Sequence, residues 1–266
     1  MSIACPLSKK LNDHTLATKD LFSYLVHLAD SSLILGHRNS EWAGHGPILE
    51  QDIALSNIAL DLVGQSRNFY QYAAKIKGNG VTEDTLAYLR DVRDFKNCLI
   101  TELNNGDWAK TVLRQFLFST YQFLLYEKLQ NCRDVTIGAI AQKSLKETAY
   151  HLRWSAEWVI RLGDGTQKSH GLMINALTEL WPFTGELTQA APYEQALAED
   201  GIAIDPAVIK ERWILKVNEI MREAQLQIPE NVWMQTGGKE GIHTEHLGYL
   251  LAEMQFLQRA YPGCEW

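Results

Sequence analysis

Residues 47–77 read PILEQDIALSNIALDLVGQSRNFYQYAAKIK and end at Gly78-Asn79-Gly80. Pro47 suits a first helical position, because its missing N–H would have no partner there, and the run continues to the glycine stop. A helix of about 30 residues is about 45 Å long. Elements of that length belong to a bundle, and the neighbouring sequence supplies more of them. Upstream, residues 19–36 carry Leu21, Leu25 and Leu28 beside Phe22, Val26, Ala29 and Leu33. These two adjoining apolar rows cover most of one helix, which predicts a place in the middle of the bundle.

Downstream, Tyr88, Val92, Phe95 and Leu99 recur at helical spacing and predict a third helix over 83–103. Asp107 caps a fourth, running to about 131. A fifth starts near Asp134 and ends at Gly163-Asp164-Gly165. Shorter helices follow over 166–180, from Asp205-Pro206 through Ile209, Trp213, Val217 and Ile220, and in the terminal HLGYLLAEMQFLQRA after the loop TGGKEGIHT. No period-two alternation bounded by hairpin turns occurs. The reading is all-α, an antiparallel four-helix bundle clothed by peripheral helices, with residues 1–18 as a variable leader and 19–266 as one domain.

The chain has 266 residues, 46% of them hydrophobic and 21% charged, with a formal net charge of −7. That is enough to bury a large core, and the acidic balance speaks against nucleic acid and against anionic membrane. No apolar run approaches the roughly 18 residues of a membrane span, and the first residues lack a secretory apolar segment. Cys5, Cys98, Cys132 and Cys264 stand too far apart for metal-binding CxxC spacing, and reduced thiols in the cytoplasm are expected.

Three of the long helices carry polar residues on one line: Ser23, His27, Asp30 and Ser31; Asn57, Asp61, Gln65 and Asn68; Ser144, Glu147 and His151. Charge inside a bundle needs partners or a metal. Bundles of this kind house di-iron and di-manganese sites built from one Glu on each of two helices and Glu-x-x-His on the other two. Here a His follows a carboxylate by three only at Glu240 and His243, across Gly241 in the glycine-rich loop. Glu147 and His151 are four apart, and the residue three after Asp61 is Gly64. The fourth helix offers Ser119, Thr120, Tyr121 and Gln122 at its middle, and its one Glu, Glu127, lies near the end. The expectation is therefore a degenerate polar cluster of His27, Asp30, Asp61, Glu147 and His151, satisfied internally, with no metal, no cofactor and no catalytic residue. A single adventitious metal or a working di-metal site are the alternatives. Gly237-Gly238-Lys239 reads as a flexible connection rather than a phosphate cradle, and Glu41 and His45, flanking Trp42, as loop or capping residues, with a partner contact as the alternative.

Three of these segments, EWAGHGPILEQDIALSNIALDLVGQSRNF, ETAYHLRWSAEWVIRLGDGT and TGGKEGIHTEHLGYLLAEMQFLQRAYPG, resemble the structural C subunit of bacterial phenylacetyl-CoA epoxidases, which are ring-epoxidising multicomponent monooxygenases. The resemblance covers roughly residues 20–266. It implies a ferritin-like helical fold and a tight pairing with a homologous di-iron catalytic subunit that binds the CoA thioester. It also implies a reductase subunit in the assembled complex and a supporting rather than catalytic role. In isolation the chain is expected to pair with itself. A self-contained ferritin-like oxygenase or metal store is the alternative.

Overall fold

The computed structural model describes the backbone of residues 6–264 and the side chains from residue 18 to 264. Eleven helices occur among them and no strand: α1 Pro6–Glu41, α2 Leu49–Lys77, α3 Glu83–Tyr88, α4 Leu99–Glu102, α5 Trp108–Leu129, α6 Val135–Gly163, α7 Gln167–Leu180, α8 Pro192–Glu199, α9 Lys210–Glu223, α10 Glu245–Met254 and α11 Phe256–Ala260. The four long ones form two hairpins, α1 with α2 and α5 with α6, joined where α2 meets α6. Outside them, α7 and α9 cover α5 and α6, while α8 lies on α1. This is the all-α ferritin-like arrangement that the sequence predicts.

The hairpins hold because their apolar rows meet. On α2 the buried positions Leu55, Ile58, Ala59, Leu62, Phe69, Tyr70 and Ala73 step by three and four. On α1 every residue from Tyr24 to Leu35 is buried, so that helix is the central one expected. It also runs back to Pro6, so residues 6–18 of the expected leader continue the first helix. α5 is buried almost all round, since α7 and α9 close the face that the bundle leaves open. Gly163 is where α9's exit passes α6: a Cβ there would lie 2.3 Å from the Ala224 carbonyl oxygen.

α2 begins at Leu49 with Ile48 at its N-cap, so Pro47 lies just outside the helix. Ile48 supplies no side-chain cap, and Asp52 Oδ1 instead ties down the incoming chain by accepting from Gly46 N at 2.8 Å. Glu41 pairs with Arg38 and accepts from Asn105 Nδ2 at 3.0 Å, the structural role expected of it, and the exposed His45 ring packs on Trp42.

The expected third helix is broken. Its apolar spacing is real, but α3 stops at Tyr88, one 3-10 turn occupies Val92–Asp94, and helix resumes only at Leu99. The intervening backbone bonds to side chains instead of to itself. Lys96 N donates to Asp30 at 2.7 Å, Cys98 N to Ser31 Oγ at 3.1 Å and Leu99 N to Glu186 at 2.8 Å. Four residues of periodicity could not reveal that tertiary override. The terminal helix likewise breaks at Gln255, whose amide donates to the carbonyls of Ala87 and Arg90.

Candidate functional site

Across the interior of the bundle, each of the four long helices contributes one polar side chain to a connected relay. Gln122 of α5 donates from Nε2 to Ser32 Oγ of α1 at 3.2 Å and to Gln65 Oε1 of α2 at 3.1 Å. Gln65 Nε2 in turn donates to Glu147 of α6 at 2.9 Å. The result is a relay Ser32–Gln122–Gln65–Glu147, in which one carboxylate faces two carboxamides and a hydroxyl. One turn along, His151 Nε2 lies 3.0 Å from Asp61 Oδ2, joining α6 to α2. A second neutral chain runs Asn39–Gln115–Ser119 at 2.7 Å per step. Amides both donate and accept, so these strings link helix to helix by hydrogen bonds, although Gln122 Oε1 and Asn39 Oδ1 are left without a partner.

The five residues of the expected cluster therefore do not meet. Asp61, Glu147 and His151 share the α2–α6 interface, where Asp61 is 37% exposed. His27 and Asp30 point the other way, toward residues 90–98 and α8. Buried Asp30 accepts from the Tyr70 hydroxyl, from Arg90 and from Lys96 N. His27 Nδ1 donates to the Lys96 carbonyl at 2.7 Å, so Nε2 is the nitrogen that faces Glu194 Oε1 across 3.7 Å. That separation is too long for a hydrogen bond. Burial, opposed in part by Glu194, pushes the His27 pKa down to about 4, so at neutral pH the two do not form an ion pair.

Three buried carboxylates were missed by the sequence reading, and all three hold irregular backbone. Glu194 accepts from Ala191 N at 2.8 Å and from the buried Lys239 ammonium at 2.9 Å. Glu186 accepts from Leu99 N, Gly237 N and Lys239 N. Glu102 accepts from His243 Nδ1 at 2.8 Å, Asn97 Nδ2 at 2.7 Å and Thr244 N at 2.6 Å. Glu102 and Glu186 gave no signal because their partners are mostly amides of distant loops. Glu194, three after Ala191 with Pro at the first helical position, carries an N-terminal capping pattern.

The glycine-rich loop is consequently not flexible. Two of its amides are spent on Glu186, Lys239 Nζ also donates to Gln189 O at 2.8 Å, and a Cβ on Gly238 would sit 2.4 Å from the Asn97 carbonyl oxygen. Of the three amides of Gly237-Gly238-Lys239, two are therefore taken by one carboxylate. Glu240 is exposed while His243 turns inward to Glu102, so the one carboxylate-to-His step of three in the sequence is not a paired unit.

Chemically the site offers three separate carboxylate–imidazole pairings: Asp61 with His151, Glu102 with His243 and Glu194 facing His27. In each, the remaining contacts are amides, carbonyls or an ammonium. Among the described residues no three His, Cys, Asp or Glu side chains converge as metal ligands, so the donor set does not fit a di-iron centre. Burial pushes the Cys98 thiol up to about 12, which leaves it without thiolate character. No described helix is long and apolar enough to cross a membrane.

Comparison with known proteins gives this fold a family. The C subunit of 1,2-phenylacetyl-CoA epoxidase from Escherichia coli (strain K12) is 47% identical over 246 residues, which is 92% of this chain and 99% of that one. The model of the family described as phenylacetic acid catabolic protein matches residues 7–266, taking in most of the expected leader. A match across nearly the whole length, on a bundle of this architecture, means that the chain belongs to the phenylacetic acid catabolic protein family.

Proposed function

We propose that the chain is the non-catalytic structural subunit of a phenylacetyl-CoA epoxidase complex of aerobic phenylacetate degradation. In this reading it works in the cytoplasm and stabilises a homologous di-iron catalytic subunit, and a reductase subunit joins the assembly. The observation that carries it is the relay Ser32–Gln122–Gln65–Glu147. The four long helices meet in this relay through two carboxamides, one hydroxyl and a single carboxylate, whereas a di-metal site needs several carboxylates and imidazoles. The name of the E. coli relative supports the complex and the substrate class.

The surface supports the pairing. Along α2 the residues Leu49, Ile53 and Leu60 are 71%, 53% and 68% exposed, and Val63 and the open Gly64 continue the same stripe. An aliphatic row on a long helix is what a partner helix covers, with Gly64 allowing close approach. Five of the tryptophans are spent inside rather than on this surface: Trp108 packs on Trp154 and Trp158, and Trp181 stacks on Trp213. Without its partner, the same stripe would pair two copies of this chain.

The test is iron content and oxygen consumption. Purified alone after growth in iron, the chain should hold well under one iron per molecule and consume no oxygen with phenylacetyl-CoA. Co-expressed with the catalytic subunit it should co-purify, and reductase-driven turnover should appear. Two tightly held irons per chain, or turnover without the partner, would refute the proposal.

A further inference from the structure

Between the start of the first hairpin and the broken third helix lies a cavity of about 390 Å³. Phe22 and Val26 of α1, Val81, Leu86 of α3 and Leu89 just after it give it an apolar floor. Four cations border it, Lys77, Arg90, Arg93 and Lys96, against a single carboxylate, Asp94. In a chain of net charge −7 that is a local reversal of sign.

The four cations are not equivalent. Arg90 is consumed by the fold: its guanidinium pairs with buried Asp30, donates to the Asp94 carbonyl at 2.8 Å and lies 4.1 Å over the Phe95 ring. The other three form no ion pair with any described carboxylate. Lys77 rests on the Phe22 ring at 4.9 Å, and Lys96 lies 5.5 Å from the Tyr193 ring. Lys77 also serves the C-terminus of α2, but that accounts for one charge out of three.

The walls are fixed in advance. The Arg93 carbonyl abuts Gly241, where a Cβ would lie 2.4 Å away, and Lys96 N is held by Asp30 at 2.7 Å. Like charges held together around an apolar hollow are costly unless an anion joins them. Asp30 and Glu240 act on Lys96 from outside the cavity, but Lys77 and Arg93 pair with no carboxylate, and a phosphate would bring up to two charges and three acceptor oxygens. The volume falls in the range of small-molecule clefts, about 300–1,000 Å³.

We propose that this cavity binds a small organic phosphate of the nucleotide type, its phosphate among Lys77, Arg93 and Lys96 and its apolar or ring portion over Phe22, Val26 and Leu89. The site does not depend on the subunit role proposed above. ADP and coenzyme A are the natural probes, because both join phosphate to a ring.

Calorimetric titration of the full chain at about 50 mM and about 300 mM salt, with ADP, coenzyme A, inorganic phosphate and phenylacetate in turn, reads the site. ADP or coenzyme A should bind saturably, about tenfold or more tighter than inorganic phosphate, weaken at the higher salt, and outcompete phenylacetate. Lys77→Ala with Arg93→Ala should weaken binding about tenfold or more at unchanged melting temperature, because both side chains are exposed and unpaired. Leu89→Glu, which puts a negative charge on the floor, should abolish it. The proposal is overturned by the absence of saturable heat from ADP and coenzyme A up to about 5 mM, or by a double variant that binds like the parent. Equal affinity for inorganic phosphate and ADP would equally refute it, by removing the role of the floor.

Discussion

Asp30→Ala should destabilise this protein far more than Asp61→Ala, although the sequence puts both residues on one interior line. Asp30 is fully buried and accepts from Arg90, whose side chain is 12% exposed, as well as from the Tyr70 hydroxyl and Lys96 N. Its removal leaves a guanidinium, a phenol and an amide without their acceptor. Breaking a buried pair costs about 3–5 kcal/mol, and each orphaned neutral donor about 1–3 kcal/mol. Arg90 keeps its bonds to Asp94 O and Leu86 O, so the lower end of the combined range applies, about 5 kcal/mol. Asp61 is 37% exposed and has one partner, His151. A half-solvated pair of that kind is worth about 1 kcal/mol. For a chain of this size each kcal/mol moves the melting temperature by about 2–4 °C. Asp30→Ala should therefore fall by about 10 °C or more and Asp61→Ala by about 3 °C, read by circular dichroism on the full chain at pH 7. Asp30→Asn, which keeps an acceptor but loses the charge, should lie between them. Equal losses at positions 30 and 61 would refute the reasoning, since they would require the two sites to form one buried network.

His27 and His243 should give opposite pH dependences. Burial holds His27 near pKa 4 when folded, against 6.5 unfolded, so the unfolded chain binds more protons between these values and stability falls as pH drops from 6.5 toward 4. His27→Gln should flatten that limb of a urea-midpoint profile. For His243 burial alone would lower the pKa, but the hydrogen bond and charge of Glu102 carry it above 6.5. Its contribution is then complete below pH 6.5 and lost as pH rises through the raised value, so Glu102→Gln should remove a stability decline on the alkaline side. Gly238→Ala should cost about 2 kcal/mol or more in urea titration, since its Cβ would meet the Asn97 carbonyl oxygen at 2.4 Å and the loop is pinned on both sides. Gly64→Ala, with nothing within 4 Å of its Cβ, should instead stabilise the isolated chain by about 0.5–1 kcal/mol. Leu60→Arg on the same stripe should leave stability unchanged and abolish both self-association in sedimentation and capture of the catalytic subunit.

The long helices could be read from sequence because their information is local. Asp107 and Asp134 each cap a helix start through their own backbone neighbours, and Leu55, Ile58 and Leu62 announce their face by spacing alone. The polar interior was harder because a line of polar residues on a helix says which side they occupy, not which neighbour they meet. His27 and Asp30 precede Ser32 by less than two turns, yet they serve the loop at 90–98 while Ser32 serves the bundle centre. Residues 88–99 have helical spacing and are nevertheless partly extended, because Asp30, Ser31 and Glu186 offer their amides better partners than the helix does. Such carboxylates leave no pattern of their own, as their partners are amides up to 87 residues away. The same economy bears on function. The bundle uses its buried carboxylates at Asp30, Glu102, Glu186 and Glu194 to fasten irregular backbone. What it holds fixed, on the outside, are the walls of a basic cavity and the exposed stripe of α2.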